Sequence, residues 1–375
     1  MNLFIQGIGA VTPLGPTAPE TWLPLCQGQQ APRRLIAGSL ADRQYFSCPV
    51  PGKFVFEAAR QPRLRRSGTL SLLGVVAGFD AVADAGLKLG GDLGVNMAVV
   101  FAICSGGVNY TRRFYHEIVT QGANLASPLL FPETVYNAAA SHLAALMGLD
   151  EQCYTLVGDS SVGLSALHFA VELLITRPEL DRCLVVGTEE ADWLLADAFG
   201  SWRMATNKEQ FEVYGRTSGT IFGEGAAAVL LGRTGPLEVS GCSPGLPFFS
   251  ARESESVAAE LFGSFSAEGP PEIIVSSANG TFADVVECKV FSRRYPSLPV
   301  YAPKPAVGEP LGAGALLQVA LAGQALRYQQ LPGTLCAGDK LPSVNRETRF
   351  CAAANALVTC VGFNQQVNAV KLCLV

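Results

Sequence analysis

The sequence predicts an α/β protein with largely buried sheets, and three observations carry that expectation. Short apolar runs of strand character alternate with longer helix-patterned stretches from one end of the 375 residues to the other. The strand candidates read as near-continuous apolar runs, as strands covered on both faces do. Hydrophobic residues make up 49% and charged residues 16%, ample for an extensive core.

Leu3–Ile8 opens as an apolar strand, and Leu70–Ala85 is the first long helical pattern. Met97–Ile103 is an uncharged run that reads as a strand, followed by helices over Thr111–Gln121 and Asn137–Met147. Strand Tyr154–Val157 gives way to helix Leu164–Ile175, and Cys183–Gly187 and Ala226–Leu231 complete the strands of the first part. The second part continues with helix Ser254–Phe262, strands Ile273–Ser277 and Leu298–Tyr301, helix Ala313–Tyr328, a helix over Arg349–Leu357 and strand Ala369–Val375. Gly and Pro punctuate the joins. Two echoes link the parts: Gly163–Leu167 resembles Gly312–Leu316, and Ala226–Leu230 has a counterpart in Val367–Val370. Two related halves, 1–235 and 236–375, joined near Thr234–Pro236 into one unit, explain both.

A net charge of −5 argues against nucleic-acid or anionic-membrane partners, which are approached with clustered excess Lys and Arg. The one basic cluster, Arg60, Arg63, Arg65 and Arg66, reads as a solvated loop. Eleven cysteines lie mostly in apolar runs without paired spacing, so they are expected to be reduced core residues. No basic leader opens the sequence and no apolar run has membrane-spanning length, which together predict a cytoplasmic location. The cysteines and histidines do not converge at ligand spacing, so neither a metal nor another cofactor is expected.

Gly158–Gly163 is the turn with most chemical promise, because it joins a strand to a helix and carries Ser160 at its centre. A serine needs a base to take its proton, and the chain has only three histidines. His168 lies eight positions on, about 10 Å along the same helix, beyond reach. His142 and His116 read as packing and surface residues. A hydrolase elbow wants Gly-x-Ser-x-Gly and a later histidine, and neither is present. Gly7-x-Gly9 lacks the third glycine of a dinucleotide fingerprint, since Thr12 and Pro13 follow.

Five segments in order resemble the β-ketoacyl-acyl-carrier-protein synthases: Ile5–Gly15, Val185–Glu189, Phe222–Ala226, Lys304–Gly314 and Gly362–Phe363. The resemblance implies a thiolase-like layered α-β-α-β-α fold built from two related halves. It also locates the family's cysteine nucleophile and two histidines, and all three are changed. Ser160 stands at the cysteine, Asn279 at the histidine of Ala278–Thr281, and Glu309 at the histidine of Lys304–Glu309, while Lys304 is retained. The terminal loop, Gly362–Asn368, is one residue longer than the family's and lacks its two flexible glycines.

A serine gains far less than a thiol from a helix N-terminus, and an ionised Glu309 repels the enolate oxygen that the histidines stabilise. The resemblance therefore implies a non-catalytic subunit, a chain-length factor, that forms a heterodimer with an active ketosynthase and shapes the acyl-chain cavity. An acyl carrier protein is implied as a further partner, reached through the active subunit. Strand Cys153, Tyr154, Thr155, Leu156 and Val157 is the implied subunit interface. Phe131, Thr134, Tyr136 and Phe363 are the implied cavity or gate residues. A different outcome is a serine-based acyltransferase or thioesterase using Ser160 with Asp159 or Glu309 in support.

Overall fold

The computed structural model describes residues 2–38, 43–88, 96–149, 152–266, 269–363 and 365–375. One mixed sheet of 11 strands runs through it. Ten form the ladder: β1 (Phe4–Val11), β2 (Met97–Ile103), β3 (Cys153–Val157), β4 (Arg182–Glu189), β5 (Gly225–Gly232), β6 (Leu237–Cys242), β7 (Ile273–Val275), β8 (Val300–Tyr301), β9 (Asn355–Val361) and β10 (Gln366–Leu374). Their order across the sheet is β8-β7-β9-β10-β6-β1-β5-β4-β2-β3.

That order repeats within the chain. β1-β5-β4-β2-β3 and β6-β10-β9-β7-β8 are the same arrangement five strands apart. Strand directions repeat as well: antiparallel, antiparallel, parallel, parallel in each set. The two sets meet where β1 pairs with β6, Phe4 opposite Glu238 and Ile5 opposite Leu237.

Nine helices of eight or more residues are described: α1 (Ala18–Cys26), α2 (Thr69–Asp84), α3 (Val108–Gln121), α4 (Ala138–Met147), α5 (Val162–Thr176), α6 (Trp193–Ser201), α7 (Ala251–Ser264), α8 (Phe282–Arg294) and α9 (Leu311–Tyr328). Side-chain alternation along the strands sorts them into layers. On β2, Val99, Phe101 and Ile103 face an outer core with α2 and α4, whereas Ala98, Val100 and Ala102 face a central core with α5 and α9. Ile274 and Leu357 of the second set face an outer core with α7 and α8, while Ile273, Val275, Ala356 and Val358 face the central one. The layers therefore run helix, sheet, helix, sheet, helix. Helix α9 is buried on every side from Leu311 to Leu326, which a middle layer demands.

Both sequence echoes fall on equivalent places. Gly163–Leu167 lies in the first turns of α5 and Gly312–Leu316 in those of α9, and the two helices pack together. A Cβ on Gly163 would lie 2.9 Å from Leu316 N, so glycine sets how closely they approach. Ala226–Leu230 lies in β5 and Val367–Val370 in β10.

One expectation fails. Arg349–Leu357 is not helical: Arg349–Phe350 is a short strand, and Asn355 begins β9. The small residues Cys351–Ala354 suggested a helix, but the following run Ala356–Val361 is buried on both faces between β7 and β10. Burial in the sheet overrides the local preference. Strands β6 and β9 and helices α1, α6 and α8 were absent from the sequence reading. Among the described residues no helix is long and apolar enough to cross a membrane.

Candidate functional site

Strand β3 ends at Val157 and α5 starts at Val162, so Ser160 lies in the strand-to-helix turn the sequence predicted. Asp159 Oδ1 accepts from Ser161 N at 2.9 Å and from Ser161 Oγ at 2.7 Å, which fixes the turn. Ser160 is fully buried, and its Oγ has no hydrogen-bond partner among the described residues. Its carbonyl accepts the Cys360 thiol at 3.4 Å. Burial pushes that thiol far up; the Lys304 charge opposes the rise, and those of Asp159 and Glu309 add to it. Glu287 adds to the rise as well, so Cys360 lies within the fields of four charged groups.

Asn279, Lys304 and Glu309 come together as the motifs anticipated. Lys304 Nζ donates to Glu309 Oε2 at 2.6 Å, and Asn279 Nδ2 donates to the same oxygen at 2.8 Å. Their exposures are 2%, 1% and 0% for Lys304, Asn279 and Glu309, so the trio is sealed from water. Burial, the largest influence on Lys304, works to lower its pKa. The Glu309 charge and hydrogen bond, aided by Cys360, outweigh burial and leave the ammonium above its ordinary range.

The backbone of this region explains why distant motifs meet. Glu309 N donates to Ile221 O at 2.8 Å, and Gly223 N donates to Glu309 O at 3.1 Å. The Phe222–Ala226 turn is thereby tied to the Lys304–Gly314 loop. Asn279 leaves β7, where its N–H donates to Asp284 Oδ1 at 2.7 Å and its Oδ1 accepts from Thr281 Oγ1 at 2.6 Å. Chemically, the Lys304 and Asn279 donors are both committed to one carboxylate oxygen.

Phe363 packs in an apolar group with Phe222 and Leu311. It stacks edge-on with Phe199 at 5.3 Å and Phe282 at 6.5 Å, and Phe199 continues to Phe222 at 5.0 Å. In the loop after it, Gln365 takes a left-handed φ of +65°. That conformation favours glycine, and holding a glutamine there stiffens the segment. Asn364 lies outside the described residues.

Phe131, Thr134 and Tyr136 are placed elsewhere. They belong to a surface turn leading into α4, with Phe131 55% and Tyr136 52% exposed. Thr134 Oγ1 donates to Phe131 O at 2.7 Å. Within this single chain they do not gather around Ser160. Cys153, Tyr154, Thr155, Leu156 and Val157 form β3, at one edge of the sheet, with Cys153 and Val157 exposed.

The histidines serve structure. His142 Nε2 lies 2.6 Å from Glu133 Oε1 and 3.1 Å from Ser67 Oγ, and His116 is exposed on α3. His168 Nδ1 is buried on α5 and has no hydrogen-bond partner among the described residues. With Asp159 engaged by Ser161, and Glu309 by Lys304 and Asn279, neither carboxylate proposed to support Ser160 contacts its hydroxyl.

Three buried acids around the site went unnoticed in the sequence. Glu189 accepts from Cys104 N at 3.0 Å and Gly312 N at 3.1 Å, and also from Ser105 Oγ. Burial, against these bonds, pushes it up to about 7. Asp284 binds the N–H groups of Asn279, Gly280 and Tyr214, and burial likewise takes it to about 7. Glu287 accepts from Ser276 Oγ, Ser277 N and Oγ, Tyr214 Oη and Thr359 Oγ1. The signal available was Thr281-x-x-Asp284, a helix-start pattern, with Glu287 one turn later on α8. Among the described residues, no group of three or more His, Cys, Asp or Glu is placed to hold a metal ion.

This layered fold, with a buried serine at a strand-to-helix turn and a buried Lys–Glu–Asn cluster, is that of a ketosynthase-type protein. The chain belongs to the β-ketoacyl synthase family, whose N-terminal domain matches residues 2–235. It is 23% identical over 241 residues to 3-oxoacyl-[acyl-carrier-protein] synthase 2 of Vibrio harveyi, a match covering 61% of this chain and 57% of that enzyme. The corresponding synthase of Coxiella burnetii is 22% identical over 390 residues, 93% of each chain. The solved ishigamide ketosynthase/chain length factor superposes with a TM-score of 0.86 at 18% identity, over 100% of this chain and 99% of that one. The thiolase-like fold expected from the resemblance is the fold of this chain.

Proposed function

We propose that this chain is a non-catalytic ketosynthase-like subunit, a chain-length factor, that pairs with an active β-ketoacyl-acyl-carrier-protein synthase. The observation that carries this reading is the Glu309 carboxylate on Lys304 and Asn279. Decarboxylation and condensation both need donors aimed at developing negative charge. Here a fixed anion holds those donors, and Ser160 has no base at its hydroxyl.

Pairing runs through β3, whose outer edge continues the sheet into a second subunit. The exposed Phe131, Val135 and Tyr136 add apolar surface to the pairing face, where Phe131, Thr134 and Tyr136 cap the partner's acyl cavity. Phe363 is a fixed plug on this chain's own side. The acyl carrier protein delivers its substrate to the active subunit. The repeated strand order supports a division into halves 1–235 and 236–375 acting as one unit.

Co-expression with an intact ketosynthase, followed by purification and assay, tests this. The expected result is a stable complex that condenses acyl-carrier substrates, and an isolated chain that neither condenses nor decarboxylates malonyl carrier. Turnover by the isolated chain, abolished by Ser160→Ala, would replace this reading with the serine acyltransferase.

A further inference from the structure

We infer that Lys304 Nζ and Asn279 Nδ2 form a recognition site for a small carboxylate, which Glu309 of the same chain fills. The site stands on geometry within this chain and does not depend on the partner reading.

Both donors converge on one oxygen, Glu309 Oε2, at 2.6 and 2.8 Å. The Asn279 side chain and the Lys304 backbone are held by contacts that do not involve the Glu309 side chain. Asn279 is fixed by Thr281 Oγ1 on its Oδ1 and by Asp284 on its N–H. Lys304 opens the short helix Lys304–Val307, closed by Gly308 N donating to Lys304 O at 2.8 Å. Removing the Glu309 side chain therefore leaves the fixed Asn279 amide and the buried Lys304 ammonium beside the same vacated space. A buried, unpaired ammonium demands an anion, and charge-assisted donors of this kind select an oxyanion.

Space sets the size of that anion. The second oxygen, Oε1, is buried without a hydrogen-bond partner, and a Cβ at Gly314 would lie 2.8 Å from it. The wall is closed there, so the ligand is a planar carboxylate with little beyond it. Glu309→Ala removes Cγ and the carboxylate, which are the atoms of acetate.

The test is denaturation of Glu309→Ala in sodium acetate and in sodium chloride at equal ionic strength, alongside wild type and Asn279→Ala/Glu309→Ala. Acetate is expected to stabilise Glu309→Ala saturably, raising its folding equilibrium constant about tenfold when acetate is roughly ten times its dissociation constant. Wild type should not respond, and the double variant should bind acetate more weakly. Equal effects of acetate and chloride, or an unchanged response without the Asn279 amide, would overturn the site. If Glu309→Ala fails to fold in chloride, its refolding yield is the readout: recovery in acetate supports the site and no recovery rejects it. Complex formation with a ketosynthase is a separate measurement, so failure here and failure of the proposed function remain distinguishable.

Discussion

Lys304 and Glu309 lie 2.6 Å apart with 2% and 0% exposure, and burying two charges is favourable only while they face one another. Removing one partner strands the other in a medium that solvates it poorly. Lys304→Met is therefore expected to lower stability by about 3–5 kcal/mol in urea denaturation, and Lys304→Met/Glu309→Leu to recover most of that loss. The Ser160 hydroxyl is the reverse case, because it is buried and bonds to nothing among the described residues. Ser160→Ala is expected to be neutral or stabilising by about 1 kcal/mol, and to leave condensation by the paired complex unchanged. Glu189 supplies a pH dependence. Burial sets it near 7 in the fold, against about 4.3 unfolded, so the folded chain binds more protons between those values. Its contribution is fully present below about pH 4 and is lost as pH rises through about 7. Relative to Glu189→Gln, wild type should lose stability across that window, and a gain would contradict the assignment.

At the scale of elements, Glu133 links three pieces of structure. Its Oε2 accepts from Gly68 N at 3.1 Å and Ser71 Oγ at 3.2 Å at the start of α2, a helix without a side-chain cap of its own. Its Oε1 meets His142 of α4 at 2.6 Å. Burial, the largest influence, works to raise the Glu133 pKa, but the His142 and Gly68 bonds prevail and hold it below the usual carboxylate range. The latch is thus present above the unfolded carboxyl pKa and is lost as pH falls through the lowered one. Glu133→Gln should cost about 1.5–3 kcal/mol and speed amide exchange in residues 127–137. An exchange pattern unchanged in that segment would remove Glu133 from this role. These elements also mark what the sequence disclosed. Most strands were legible because their apolar runs stop at glycine or proline, as β3 does at Gly158. β9 was hidden because Cys351–Ala354 imitates a helix, and α8 because Asp284 and Glu287 turn charged residues inward. Ser160, Asn279, Lys304 and Glu309 were legible as motif positions. That two donors converge on one Glu309 oxygen was not, since spacing along a chain says nothing about side-chain direction. The placement of Phe131 and Tyr136 at the surface was equally hidden.

For the whole molecule, the proposed pairing makes β3, at the edge of the sheet, the place where assembly is tested. An exposed sheet edge beside apolar surface is an association site unless charge interrupts it. Val157→Lys, at a position 51% exposed, should leave the isolated chain folded and weaken the complex about tenfold or more in titration calorimetry. Undiminished affinity would move the interface elsewhere.

The pairing of β1 carries a consequence for synthesis. This strand, Phe4–Val11, is made more than 200 residues before its ladder partners β5, at Gly225–Gly232, and β6, beginning at Leu237. Pairings so far apart in sequence are slow to form. At about 5–20 residues per second, β1 waits roughly 10–45 s for those partners, its backbone edges unpaired by them for that time. The yield of folded chain should therefore respond to elongation rate more steeply than its final stability suggests.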